Sequence, residues 1–100
     1  MKILIVEDDL TAADFFAQVA QTRGYSDIDI AESAEKALAF LINNPYDLII
    51  LDIMLPGASG LEILSVIRNM CPQTIVAIIS GHLFDNSDDA DVLAFADTVL

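Results

Sequence analysis

The feature that most constrains the fold is a short apolar run, DLIIL, that ends at the charged residue Asp52 and is followed by the turn-rich stretch IMLPGASG. A Leu/Ile run of this length, bounded by turn residues, is typical of a strand buried on both faces, as in a parallel sheet covered by helices. Asp52 then lies where the strand leaves the sheet, which is the edge where open α/β sheets bind ligands. One aspartate is weak evidence for a site, so other polar groups are needed at the same edge.

Strands and helices alternate along the chain. Apolar or alternating runs predict strands over residues 2–6, 26–31, 47–51 and 74–79, with a fifth beginning at residue 98. Apolar residues at helical spacing predict a helix from Thr11 to a stop at Gly24, one from the N-cap Ser33 to residues 43–45, one over 60–70 and a short one over 92–95. This order predicts right-handed crossovers and an α/β fold, a doubly wound parallel sheet of five strands in the order 2-1-3-4-5.

Composition limits the kind of protein. One hundred residues suit a single domain, and the apolar stretches are too short for a membrane-spanning helix of roughly 18 residues or more. The start MKILIVEDD does not resemble a signal peptide, and the lone Cys71 permits no internal disulfide, so we expect a cytoplasmic protein. The net charge of -12 repels phosphates, so neither nucleic acid nor a membrane is an expected partner of this chain alone.

Acidic residues follow two strands that the predicted order makes neighbours. Glu7 and Asp8 follow the first strand and Asp52 the third, so the three carboxylates should approach one another. At ~4 Å and an effective dielectric constant of ~20, each pair of like charges costs about 4 kcal/mol, which a cation would relieve. Oxygen ligands without histidine or cysteine favour a hard ion such as Mg²⁺. Ser80 ends the fourth strand at the same edge, where its hydroxyl could donate to a bound anion.

Three motifs in this order resemble a known family. VEDD after the first strand, LDIMLPGASG around the third and ISGH after the fourth are similar to the receiver domain of bacterial two-component response regulators. The resemblance covers essentially residues 1–100 and implies a flavodoxin-like fold and a phosphoacceptor rather than a turnover enzyme.

The resemblance also implies roles for particular residues. Asp52 would accept a phosphoryl group from a phosphohistidine of a sensor histidine kinase or a phosphotransfer protein. Mg²⁺ would be bound by Asp8, Asp52 and the backbone carbonyl of Met54, with Glu7 acting through water.

Further implied roles fall on the loops around the acceptor. Ser80 would contact a phosphoryl oxygen and act as the switch, while Pro56 and Gly57 would shape the loop that follows Asp52.

The sequence departs from the family pattern at its end. The family places a lysine after the fifth strand, which would fall about two residues past Leu100, so that lysine and the last helix are not in this chain. Val99 stands where the family has an aromatic switch residue. We therefore expect a receiver domain truncated at the start of, or within, strand five. If the chain ends at Leu100, we expect poor solubility or a homodimer through the surface that the missing helix leaves.

Other classes fit less well. A pseudo-receiver, used only as a protein-interaction or dimerisation module, is the main alternative because the lysine is missing. A haloacid dehalogenase-like phosphatase needs a second aspartate at position 54, which is Met54, and a flavin binder needs a phosphate loop where this chain has EDDLTAAD. A calcium loop at 85–91 would need glycine at Ala90 and glutamate at Ala96.

Overall fold

The structure is a computed structural model, and it describes residues 1–52, Leu55, residues 60–79, Thr98 and Val99. Its elements, in chain order, are β1 (Lys2–Val6), α1 (Leu10–Thr22), β2 (Asp27–Ala31), α2 (Ala34–Asn43), β3 (Leu48–Asp52), α3 (Gly60–Met70) and β4 (Ile75–Ile79). The predicted bounds of β1 and α3 are confirmed; β2 and β4 each begin one residue later than predicted, and β3 is shifted by one residue at both ends. The predicted helix over 92–95 lies outside the described residues.

The strands form a parallel sheet in the order β2-β1-β3-β4. Parallel strands that follow one another in the chain must be joined by a crossover connection. Here α1, α2 and α3 form the three crossovers between β1, β2, β3 and β4. Thr98 and Val99 pair in parallel with Ala77 and Ile78 of β4. The rest of the predicted fifth strand, Leu100, lies outside the described residues, so a five-stranded sheet stays a prediction.

Capping residues fix where the helices begin and end. The Asp9 side chain accepts hydrogen bonds from two backbone N–H groups in the first turn of α1, and Ser33 does so once for α2. After α1, Gly24 has φ of +90°, a left-handed conformation that side chains disfavour, so the predicted helix stop at Gly24 is confirmed.

One face of the sheet packs against α2 and α3 and forms the main core. Ala37 of α2 and Leu64 and Ile67 of α3 are fully buried there. The inward positions of the sheet are also closed to solvent; they include Leu4, Val6, Ile49, Leu51, Val76 and Ile78. Leu/Ile/Val runs of this kind, without alternating polar residues, are typical of parallel strands covered by helices.

The opposite face is covered by α1 over part of its width. Ala13 and Ala20 of α1 pack on Ile3 and Ile5 of β1. Two large apolar residues of α1 are open to solvent: Phe15 is 60% exposed and Val19 is 43% exposed. The face of α1 that packs on the sheet is therefore the one that carries Ala13 and Ala20.

An apolar groove lies beside α1 on this face. Its lining includes Phe15, Val19, Leu48 and Ile50. Ile75 is aligned with Leu48 in the sheet and is 50% exposed. No helix within the described part of the chain is long and apolar enough to cross a membrane.

The edge of the sheet where the strands begin is closed by a buried tyrosine. The Tyr46 hydroxyl donates to the Asp29 carboxylate at 2.6 Å, and the Thr74 hydroxyl donates to the Tyr46 carbonyl at 2.8 Å. The Lys2 ammonium lies 5.4 Å from the centre of the Tyr46 ring. These contacts connect the beginnings of β1, β3 and β4 with the edge strand β2.

Candidate functional site

The sheet register brings two acidic residues together at the edge where the strands end. Val6 of β1 is aligned with Leu51 of β3, so Glu7 and Asp52 occupy the next position on neighbouring strands. Side chains alternate between the faces of a sheet, which places Glu7 and Asp52 on the same side of it. Asp8 follows directly, where the chain leaves β1 for α1.

The three predicted carboxylates form one cluster. Glu7, Asp8 and Asp52 each bring a carboxylate oxygen within 4.8 Å of the others. Glu7 is buried, Asp52 is half-buried and Asp8 is exposed, so the cluster runs from the protein interior to the solvent. The predicted approach of these residues is confirmed.

The carboxyl group of Glu7 is buried and has a raised pKa. Only 5% of its surface is exposed, and its backbone N–H donates to the Ala31 carbonyl of β2 at 3.0 Å. The pKa of Glu7 is raised from 4.5 to about 7: burial is the main cause, hydrogen bonds to Asp52 and Asp8 and the negative charge of Asp52 add to it, and a hydrogen bond from the backbone of Asp9 acts in the opposite direction. At neutral pH the Glu7 carboxyl group is therefore protonated in some molecules and ionised in the others.

The third acidic residue after β1 is outside the cluster. The Asp9 Oδ1 atom accepts from the backbone N–H groups of Thr11 at 3.0 Å and Ala12 at 3.4 Å, as the N-cap of α1. The helix predicted from Thr11 begins one residue earlier, at Leu10, and its cap at Asp9 was not predicted. An aspartate two residues before a threonine and a run of alanines was the available signal.

The donor set fits a hard divalent cation. Within the described residues, the cluster offers carboxylate oxygens from Glu7, Asp8 and Asp52 and no nitrogen or sulfur atom. Carboxylate ligands are those that Mg²⁺ prefers, and the exposure of Asp8 leaves the cluster accessible to water and an incoming phosphate. Ionised carboxylates this close repel one another, so binding a cation lowers their electrostatic free energy.

Four of the predicted site residues lie outside the described residues. They are Met54, Pro56, Gly57 and Ser80. The roles assigned to them stay predictions.

The sequence matches the response regulator receiver domain family over residues 3–97. The chain therefore belongs to this family of phosphoacceptor domains, which are not turnover enzymes, and it has the flavodoxin-like fold. The predicted family is confirmed, and the phosphatase and flavin-binding alternatives are set aside.

Relatives of known name place the chain among two-component proteins. It is 37% identical over 92 residues to the transcriptional regulatory protein YvrH of Bacillus subtilis, which covers 92% of this chain and 37% of YvrH. It is 34% identical over 81 residues to the transcriptional regulatory protein DltR of Streptococcus agalactiae, or 81% of this chain and 36% of DltR. The chain thus spans little more than a third of the length of these curated relatives.

Solved structures give the same fold. The response regulator TrrA of Thermotoga maritima, crystallised with Mg²⁺ and beryllium fluoride, is 33% identical and superposes with a TM-score of 0.87, covering 100% of this chain and 85% of TrrA. TrrA has also been crystallised in complex with the histidine kinase ThkA; in that complex it is 35% identical to this chain, with a TM-score of 0.85 and coverage of 100% and 84%.

Proposed function

We propose that Asp52 accepts a phosphoryl group from a phosphohistidine and thereby switches a protein-interaction surface. The observation that carries this proposal is the cluster of Glu7, Asp8 and Asp52, whose carboxylate oxygens lie within 4.8 Å of one another at the edge where β1 and β3 end. A lone half-buried aspartate would repel an incoming phosphate, whereas a cluster that holds a cation can receive one.

The transfer is a substitution at phosphorus. A carboxylate oxygen of Asp52 forms a bond to phosphorus as the phosphorus–nitrogen bond of the donor breaks, and the histidine nitrogen keeps the bonding electron pair. The product is an acyl phosphate on Asp52. Such transfers depend mainly on positioning and on neutralising charge, and β3 fixes the position of Asp52 through its pairing with β1 and β4.

In this proposal Mg²⁺ would be held by Asp8, Asp52 and the backbone carbonyl of Met54, and Glu7 would contribute through a water molecule. The bound ion supplies positive charge that offsets the charge of the phosphoryl group. Support comes from the oxygen-only donor set of Glu7, Asp8 and Asp52, and from TrrA, a relative crystallised with Mg²⁺ and beryllium fluoride.

Residues near the acceptor complete the proposed site. Ser80 follows β4, and we assign its hydroxyl to a phosphoryl oxygen, so that phosphorylation draws the loop after β4 inward. We also assign to Pro56 and Gly57 the role of shaping the loop after Asp52. We also propose that Thr98 begins a fifth strand beside β4, giving the order 2-1-3-4-5; its support is the pairing of Thr98 and Val99 with Ala77 and Ile78.

The proposed partner is a sensor histidine kinase or a phosphotransfer protein in the cytoplasm. Support comes from TrrA, which has been crystallised in complex with a histidine kinase. The net charge of -12 argues against nucleic-acid binding by this chain alone. The alternative is a pseudo-receiver that interacts with proteins without phosphoryl transfer.

Intact-mass spectrometry separates these two functions. The chain is incubated with Mg²⁺ and acetyl phosphate, with Asp52→Asn as the matched control. We expect the wild type alone to gain the mass of one phosphoryl group, and we expect the gain to disappear when EDTA replaces Mg²⁺. If no adduct forms on a chain that is folded by circular dichroism, the phosphoacceptor proposal is wrong for this chain and the pseudo-receiver is favoured.

A further inference from the structure

We propose that Asp9 is a positioning residue for the metal site, although its side chain is not a ligand in the cluster. Its side chain caps α1, and its backbone N–H holds the carboxylate of Glu7. This inference rests on the proposed function, because it concerns how the same acidic cluster is prepared for Mg²⁺.

The first half of the role is the cap. Asp9 has an extended backbone, with φ of -82° and ψ of 106°, and its carboxylate accepts from the N–H groups of Thr11 and Ala12. Its own carbonyl accepts from the Ala13 N–H at 2.9 Å, the first hydrogen bond of the helix. Side-chain and backbone contacts therefore hold Asp9 in one place relative to α1.

The second half is the contact with the cluster. The backbone N–H of Asp9 donates to Oε1 of Glu7 at 3.0 Å. This bond leaves one Glu7 oxygen committed to the backbone, which orients the rest of the carboxyl group among Asp8 and Asp52. Glu7 is otherwise fixed by its own N–H on the Ala31 carbonyl, so β2 and the α1 cap hold it from two sides.

Asp9 makes both the cap of α1 and the contact with Glu7, so loss of the cap should also affect the acidic cluster. If the cap is lost, the first turn of α1 can fray and the Asp9 N–H is no longer held on Glu7. The affinity for Mg²⁺ should then follow the quality of the N-cap at position 9 and not the charge there. Asparagine and serine cap helices about as well as aspartate, whereas alanine does not.

The test is the affinity of the folded chain for Mg²⁺, measured by isothermal titration calorimetry well below the unfolding temperature. The variants are Asp9→Asn, Asp9→Ser and Asp9→Ala. Asp14→Asn, at an exposed position in α1, is the control for loss of one negative charge. The rise in melting temperature on adding Mg²⁺, followed by circular dichroism, is a second readout.

We expect Asp9→Ala to weaken Mg²⁺ binding by up to about fivefold, the factor that corresponds to loss of a ~1 kcal/mol cap. Asp9→Asn and Asp9→Ser should restore the affinity to that of Asp14→Asn. A cap that only stabilised the fold would lower the melting temperature of Asp9→Ala without changing its affinity, which would overturn the proposal.

Three further outcomes would also overturn it. If Asp9→Asn binds Mg²⁺ as weakly as Asp9→Ala, charge and not capping is what matters; the comparison of Asp9→Asn with Asp14→Asn stands even where Asp9→Ala does not fold. If the wild type itself does not bind Mg²⁺, the proposed metal site fails together with the role of Asp9. Equal binding by all four variants and the wild type removes only the role of Asp9.

Discussion

Glu7 and Asp52 lie side by side at the end of neighbouring parallel strands, one position beyond the aligned pair Val6 and Leu51. Glu7 is almost fully buried there, while Asp52 is half-buried and within 4.8 Å of it, carboxylate to carboxylate. The pairing of β1 with β3 therefore holds two like charges together at an edge of the sheet. Repulsion between these acidic groups lowers the stability of the fold, and the proposed Mg²⁺ site is a function that would explain why they are kept together.

The buried carboxyl group of Glu7 should make stability fall with rising pH in metal-free buffer. Its pKa is about 7 in the folded chain and 4.5 as the reference for the unfolded chain, so between these values the folded state binds the proton and the unfolded state does not. The free energy of unfolding then decreases from pH 4.5 to about pH 7 and levels off above.

Glu7→Gln should remove this part of the pH dependence and be more stable at pH 8 by up to roughly 3 kcal/mol, at 1.36 kcal/mol per pKa unit. Urea unfolding at several pH values in EDTA measures it, with Glu62→Gln, at an exposed position of α3, as the control. If the free energies of unfolding of the wild type and Glu7→Gln changed with pH in the same way, the raised pKa of Glu7 would be contradicted.

Mg²⁺ should stabilise the chain by relieving the repulsion in the cluster. At a concentration 100 times the dissociation constant, binding to the folded state alone contributes about 2.7 kcal/mol. Asp8→Asn should be more stable than the wild type in EDTA, because one repelling charge is gone, but should gain less from Mg²⁺. Thermal unfolding with and without Mg²⁺ tests both effects, and an equal gain in the two proteins would exclude Asp8 as a ligand.

Tyr46→Phe should destabilise the chain by about 1.5–3 kcal/mol, the range for a hydrogen bond to a charged group. The variant removes the hydroxyl that donates to Asp29 at 2.6 Å, whereas Tyr25→Phe, at an exposed position, should change little. Urea unfolding at pH 7 compares the two variants, and equal stabilities would mean that the Tyr46 hydroxyl contributes nothing.

The same tyrosine predicts a loss of stability in strong alkali. Burial, together with the hydrogen bond and charge of Asp29, raises the pKa of Tyr46 above its usual 10.0. Above pH 10 the unfolded state loses this proton while the folded state keeps it, so the free energy of unfolding falls as pH rises. Tyr46→Phe should show a smaller fall.

Much of the fold could be predicted because its signals are local. The apolar runs of β1 and β4 and the stop at Gly24 each identify an element directly, and parallel strands with short crossovers restrict the topology. Glu7, Asp8 and Asp52 could be grouped because the ends of β1 and β3 must meet once the strand order is known.

Other features depend on contacts that no local pattern records. The sequence EDD alone does not predict that Glu7 is buried, that Asp8 is exposed or that Asp9 caps α1. These three environments depend on where the chain leaves β1. Phe15 has the spacing of a packed residue and is exposed, because the orientation of α1 depends on the sheet beneath it. The bond between Tyr46 and Asp29 joins residues on separate elements and was not predicted.

The apolar groove beside α1 gives a testable prediction of self-association. Phe15 and Val19 expose apolar surface next to Leu48 and Ile50, and burying it in a second copy would be favourable. We expect concentration-dependent self-association in sedimentation velocity, reduced by Phe15→Ser and unaffected by Gln18→Ser at a neighbouring exposed position. A wild type that stays monomeric at all concentrations would contradict the prediction.

The central claim is that Asp52 is the phosphoacceptor, and the most direct test is to find the modified residue. Wild-type chain is incubated with acetyl phosphate and Mg²⁺, the acyl phosphate is reduced with borohydride to homoserine, and the peptides are sequenced by tandem mass spectrometry. We predict homoserine at position 52 and at no other acidic position. Homoserine at position 7 or 8, or a phosphorylated chain with unmodified Asp52, would contradict the account.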